Sequence, residues 1–148
     1  MISFINLNNQ QPYVKFKYFY DLAKKNLEKN IEAINISSYD VNKKEVNSRY
    51  VNLKYIDNED WIFFSNYKSP KAVEFENHNK IASVFYWKTI NVQIRIKAII
   101  SKVSYEYSDL HFSKRDLKKN ALAISSHQSE LIDSYESVKN NYEKILNI

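Results

Sequence analysis

The chain has no glycine in 148 residues. Glycine lets a backbone turn at positive φ or come close to a phosphate without a steric penalty. Its absence excludes a glycine-rich phosphate loop, a dinucleotide-binding fingerprint and a nucleophile elbow. A phosphorylated ligand would have to be held by side chains and helix ends. Cysteine is also absent, which removes disulfides, thiolate metal sites and a cysteine nucleophile and leaves the redox compartment unread. The length fits one domain, taken as residues 1–148. Apolar residues at 44% and charged ones at 26% describe a packed globular chain. The 12 Tyr, 8 Phe and 2 Trp supply ample core material. The 22 Lys+Arg against 17 Asp+Glu leave a net charge of +5, a weak footprint for nucleic acid, and none is expected as a partner. There is no apolar run of ~18 residues to span a membrane. Met1 to Gln11 lacks the basic-then-apolar pattern of a secretory signal, so the expected location is the cytoplasm.

Hydrophobic spacing sets the expected elements. Residues 12–30 read as a helix opened by Pro12, with Phe16, Phe19, Tyr20, Ala23 and Leu27 at helical intervals. Strands are expected over 31–38, 47–56, 61–65, 81–87 and 91–103. In the last of these Val92, Ile94, Ile96, Ala98 and Ile100 alternate with Gln93, Arg95 and Lys97. Ser69-Pro70-Lys71 is a helix start. Residues 105–126 form one or two helices, and 130–146 form an amphipathic one along Leu131, Tyr135, Val138, Tyr142 and Ile145. Successive strands, a few short helices and no βαβ alternation predict a mainly β fold with flanking helices, an antiparallel sheet or small barrel.

Four polar groupings could carry chemistry, and each has a plain structural explanation. Arg49 and Lys54 share a strand, whose charges are usually its solvated face. They are five apart, so a straight strand points them to opposite faces, and one ligand could meet both only at a bulge or strand end. The helix start at Ser69–Lys71 is an anion site or simply a cap. Gln93, Arg95 and Lys97 form a ligand-facing or merely wet sheet face. His111, Arg115 and Lys119 would lie at i, i+4 and i+8 if their helix runs through, making a basic stripe for an anion or a generic basic surface. The three histidines, His78, His111 and His127, show no metal-ligand spacing, and no metal is expected.

Taken in order, the groupings resemble the pyridoxine (pyridoxamine) 5′-phosphate oxidase family from about Pro12 to Ser129. The matching stretches are Ser48-Arg-Tyr-Val-Asn-Leu-Lys54, Phe63-Phe-Ser-Asn-Tyr-Lys-Ser-Pro-Lys71, Phe85-Tyr-Trp87 with Gln93, and Ser126-His-Gln-Ser129. The resemblance implies a split β-barrel that binds FMN at a homodimer interface. It implies oxidation of pyridoxine or pyridoxamine phosphate to pyridoxal phosphate, with oxygen as acceptor and the flavin carrying the redox chemistry. Arg49 and Lys71, with Ser69, Gln128 and Ser129, would hold the FMN phosphate. Tyr50, Val51, Asn52, Leu53 and Lys54, with Phe64 and Ser65, would run along the flavin, and Gln93 would hydrogen-bond to it. Lys54, His111, Arg115 and Lys119 match positions that grip the phosphate of a small substrate.

The chain departs from the family pattern at Pro70, where the family has arginine, at His111, where it has tyrosine, and at Lys119, where it has serine. The family's C-terminal tryptophan, arginine and Arg-x-His have no counterpart before Ile148. Two classes of function follow: a short FMN-dependent oxidoreductase, or a non-catalytic protein of the same fold that holds FMN or pyridoxal phosphate. Retained Lys54, Gln93 and Arg115 favour the first, and the missing C-terminal Arg-x-His favours the second.

Overall fold

The computed structural model describes residues 1–125 and 131–146. They form two compact units, one of residues 1–65 and 71–101, the other of residues 66–70 and 102 onward.

The first unit is a six-stranded mixed sheet with helical cover. Strands β1 (Ser3–Leu7), β2 (Ala33–Asp40), β3 (Glu45–Asn58), β4 (Asp60–Phe63), β5 (Lys80–Trp87) and β6 (Val92–Ile99) are ordered β1-β3-β2-β5-β6, with β4 also on β3. Helix α1 spans Gln11–Lys25 and α2 spans Pro70–Asn77. The strand β3 builds the split in the barrel. Its first half pairs with β2 from Glu45↔Asp40 to Asn52↔Ala33. Its second half pairs with β4 and, in parallel, with β1. The two halves meet at a register irregularity between Leu53 and Tyr55. Leu53 and Ile56 are both core residues, so the alternation slips there by one residue, as a bulge requires. The parallel β1–β3 pairing makes the sheet mixed, where an antiparallel sheet or small barrel was expected from sequence. Ser3–Leu7 carries little local strand signal, and its pairing lies some fifty residues along the chain.

The core lies between α1 and the inner sheet face. Phe16, Tyr20 and Ala23 of α1 pack on Ile34 and Ile36 of β2, Leu53 and Ile56 of β3, and Phe85 and Trp87 of β5. Phe16 is the hub, with ring centroids 4.4 Å from Trp61, 5.3 Å from Phe85 and 5.4 Å from Trp87. Each such pair contributes about 0.5–1.5 kcal/mol beyond area burial. The indole Nε1 of Trp87 donates to the Ile31 carbonyl at 3.1 Å, so its one polar atom is satisfied.

With no glycine available, left-handed backbone falls to Leu27, Asn30, Lys44, Asn58 and Asn91 among the described residues. Asparagine tolerates this region well. Leu27 instead stands where a glycine normally ends a helix. Its N–H donates to the Lys24 carbonyl at 3.1 Å and that of Glu28 to Ala23 at 3.0 Å, the paired bonds that close a helix C-terminus.

The second unit holds α3 (Tyr105–Ser113), α4 (Leu117–Ser125) and α5 (Tyr135–Leu146). Helices α4 and α5 pack together. The single helix that would carry a basic stripe does not form. Asp116 interrupts it: its Oδ1 accepts from the N–H of Lys118 at 2.9 Å and of Lys119 at 3.3 Å, starting a new helix.

Candidate functional site

Arg49 lies in β3 opposite Ile36 of β2. Ile36 is in the core, so Arg49 starts from the inner sheet face and reaches towards α2. Its Nη2 donates to Glu74 Oε2 at 2.8 Å. Its Nη1 donates to the Ser38 hydroxyl, which in turn donates to the same Glu74 oxygen. Asn47 Nδ2 donates to the other carboxylate oxygen, Oε1, at 3.1 Å. Glu74 is only 6% exposed. Burial alone would raise its pKa, but hydrogen bonds from Ser38 and Arg49, the guanidinium charge and the Asn47 bond outweigh this and hold the carboxyl below the usual carboxylate range.

Lys71 stands three residues before Glu74 on α2 and so shares a face with it. Burial, then the charge of Arg49, push its pKa below the ordinary lysine value, and Glu74 only partly offsets them. Lys71 has no ion-pair partner among the described residues. Two cations therefore surround one carboxylate, an arrangement with charge to spare for an anion. Ser65, just after β4, has a buried hydroxyl without a hydrogen-bond partner among the described residues. An orphaned buried hydroxyl is a cost that a ligand group would relieve. Both observations fit a phosphorylated cofactor at these positions. The ring of Phe64 stands edge-on to Tyr55, centroids 6.2 Å apart.

The β3 residues expected along a flavin divide between the two sheet faces. Val51 and Leu53 turn inward, and Leu53 at 2% exposure is part of the core, leaving only its backbone for a ligand. Tyr50 and Asn52 turn outward, and Tyr50 is 74% exposed. Lys54 occupies the irregularity, so the slip needed for a strand to serve one ligand from both parities lies at this residue. It is half-buried. Its charge is one of several influences that lower the Glu32 pKa; burial opposes them, and the N-terminal ammonium at 3.0 Å leads them.

Gln93 is exposed on β6 opposite Tyr86 of β5, which is 58% exposed. The next pair along, Ile94 and Phe85, belongs to the inner face. Gln93 and Arg49 thus project from opposite faces of one sheet. The alternation expected over 91–103 holds from Val92 to Lys97, with Gln93, Arg95 and Lys97 exposed and Val92, Ile94 and Ile96 half-buried, whereas Ala98, expected on the inward face, is exposed and β6 ends at Ile99.

In the second unit, Ser69 is buried and its hydroxyl donates to the Asn66 carbonyl at 2.6 Å. His111 lies in the last turn of α3, Arg115 in the connection and Lys119 in the first turn of α4. The expected i, i+4, i+8 stripe is therefore corrected: the three residues belong to two helices and a linker. The Arg115 guanidinium stacks 5.6 Å from the Phe112 ring centroid, and Asn120 Nδ2 donates to the Phe112 carbonyl at 2.8 Å across the break. Gln128 and Ser129 lie outside the described residues. Ser38, Asn47 and Glu74 were not singled out from sequence. The three-residue spacing of Lys71 and Glu74 was the available sign for Glu74, whereas Ser38 depends on strand pairing.

No family model matches the chain. A curated pyridoxine/pyridoxamine 5′-phosphate oxidase from Legionella pneumophila (strain Paris) is 36% identical over 121 residues, 82% of this chain and 56% of that protein. The pyridoxine/pyridoxamine 5′-phosphate oxidase 2 of Hydrogenovibrio crunogenus is 30% identical over 142 residues, 95% of this chain and 65% of that protein. The chain thus spans between about half and two thirds of the length of these two relatives. Among solved structures, PhzG from Burkholderia lata 383, in complex with tetrahydrophenazine-1-carboxylic acid, matches with a TM-score of 0.87 at 20% identity, covering 92% of this chain and 67% of that one. A pyridoxamine 5′-phosphate oxidase-related, FMN-binding protein from Nostoc punctiforme PCC 73102 matches at 0.65 and 13% identity, covering 88% and 72%. The structural likenesses speak to the fold and the sequence likenesses to kinship. Together they show that the chain belongs to the pyridoxine/pyridoxamine 5′-phosphate oxidase-like family of split barrels.

Proposed function

We propose that the protein binds FMN and acts as an FMN-dependent oxidoreductase on a small phosphorylated substrate, pyridoxine or pyridoxamine phosphate. The carrying observation is the paired cations Arg49 and Lys71 around the single carboxylate of Glu74, with Lys71 lacking an ion-pair partner among the described residues. Their positions match those that hold the FMN phosphate in the family. Curated relatives bearing the oxidase name add support.

When bound, the flavin supplies a two-electron acceptor that oxygen can reoxidise to give hydrogen peroxide. The chain's residues bind and orient. Arg49 and Lys71 take the cofactor phosphate, as a guanidinium and an ammonium do for a dianion. Ser65 offers its unpartnered hydroxyl, and Gln93 offers its amide to the ring. The β3 backbone around Leu53 and Lys54 borders the flavin. Lys54, His111, Arg115 and Lys119 are assigned to the substrate phosphate.

The working form in this reading is a homodimer. Arg49 and Gln93 start from opposite faces of one sheet, so a flavin met by both side chains is more simply shared between two copies. The exposed Tyr50 and Tyr86 on the outer face would be covered by such a partner.

A second reading keeps the flavin and changes the substrate. The PhzG likeness, with its bound tetrahydrophenazine-1-carboxylic acid, favours a partly reduced aromatic acid in place of a phosphate ester. The test is a visible spectrum of purified protein with added FMN. Peroxide and pyridoxal phosphate formation from pyridoxamine phosphate is then assayed beside oxidation of a partly reduced aromatic acid. Turnover of the phosphate ester supports the first reading, turnover of the acid alone the second. FMN binding without turnover leaves a non-catalytic carrier.

A further inference from the structure

We propose that Glu74 is a positioning residue for the cofactor phosphate, acting through Arg49; this rests on the assignment of Arg49 and Lys71 to that phosphate. A guanidinium has five N–H donors. Two of those on Arg49 are taken, one by Glu74 Oε2 and one by the Ser38 hydroxyl. The Ser38 hydroxyl donates its own hydrogen bond to the same carboxylate oxygen, so Ser38 and Glu74 fix the guanidinium at two points. The other carboxylate oxygen is tied to Asn47 at 3.1 Å. The carboxylate cannot swing without breaking three bonds. The remaining guanidinium donors are then held in a set direction before any ligand arrives, and preorganised donors need no reordering on binding.

Charge alone argues the other way. A carboxylate beside a phosphate repels it, so a Glu74 that served only as a counter-ion would weaken binding. The geometry decides between these effects. A mere counter-ion needs proximity, whereas Glu74 is almost wholly buried and bonded on both oxygens by residues from two strands, β2 and β3. That investment suits a fixed direction rather than a diffuse field.

The experiment separates reach from charge. Wild type, Glu74→Asp, Glu74→Gln and Asn47→Ala are titrated with FMN and with riboflavin, which lacks the phosphate; Glu74→Asp is also made in an Arg49→Ala background. Aspartate keeps the charge and shortens the reach by one methylene. We expect Glu74→Asp to lower FMN affinity about tenfold with riboflavin unchanged, and to have no further effect once Arg49 is gone. Asn47→Ala, which removes the side-chain hydrogen bond to Glu74 and leaves the backbone pairing of Asn47 with Ser38, should lower the FMN preference two- to fivefold and serves if the aspartate variant does not fold. An FMN-to-riboflavin ratio unchanged in both variants overturns the proposal. So does tighter FMN binding in Glu74→Gln with wild-type behaviour in Glu74→Asp, the pattern of a simple counter-ion. Failure of the underlying assignment looks different: wild type itself would show no FMN preference, or Arg49→Ala would retain it.

Discussion

Single residues carry both the charge economy of the site and the cost of a glycine-free backbone. Lys71 stands in a place that disfavours its charge. Its folded pKa is depressed, so its cost is full below the folded value and fades as the pH rises through that value towards the unfolded one. Lys71→Met should therefore melt higher than wild type without ligand yet lose FMN affinity by roughly 1.5–3 kcal/mol, the range for hydrogen bonds to charged groups. Calorimetry with and without FMN checks both signs. Glu74 has the opposite linkage. Its folded pKa is lowered, so it contributes stability that is complete above its unfolded value and is lost as the pH falls through the folded one. Urea melts from pH 7 down to pH 3 should lose stability less steeply in Glu74→Gln, beginning below about pH 4.3; parallel curves for the two proteins would refute the assignment. Leu27 is 84% exposed at φ 57°, so it suffers left-handed strain without a packing return. Leu27→Gly should gain about 1 kcal/mol, raising the melting temperature by about 2–4 °C. No signal in the sequence marked this position, because a leucine at helical spacing reads as helix interior.

At the scale of elements, legibility followed the range of the interaction that makes each one. The strand β6 was readable because its alternation is local, and α2 because Pro70 announces its start. The strand β1 was not, since it exists through parallel pairing with β3. The β3 irregularity was foreseen only as a condition, that one ligand could meet Arg49 and Lys54 if the strand slipped. The slip occurs at Lys54 because the same strand must serve both halves of the barrel. The basic stripe failed for a local reason that the sequence did contain. Asp116 can cap a helix as well as sit within one, and the cap prevailed. Replacing it tests the break: Asp116→Ala should cost about 1 kcal/mol of stability. The substrate assignment is tested at Arg115. Pyridoxal phosphate should bind more tightly than pyridoxal, less so in high salt, and Arg115→Ala should remove most of that preference while sparing FMN. Equal binding of the two compounds, or loss of FMN in Arg115→Ala, contradicts it.

For the whole molecule, a sheet with site residues on both faces is the feature that ties fold to function. The inner face seals the aromatic core around Phe16 and brings Arg49 to α2; the outer face presents Tyr50, Tyr86 and Gln93 to the surroundings. A homodimer should therefore be the state seen by light scattering at micromolar concentration. Tyr86→Arg should weaken the dimer and the flavin affinity together, since both depend on one surface. The family was legible in the ordered motifs from Arg49 to Ser129, whereas the Ser38–Asn47–Glu74 cradle required the strand pairing that only the fold supplies. The functional expectations depend on one property, specific binding of FMN. The most direct measurement is a fluorescence titration of purified protein with FMN. The expected result is saturable quenching with micromolar or tighter affinity and one FMN per chain, weakened at least tenfold in Arg49→Ala. A colourless protein whose titration with FMN shows no saturable change would contradict the account at its centre.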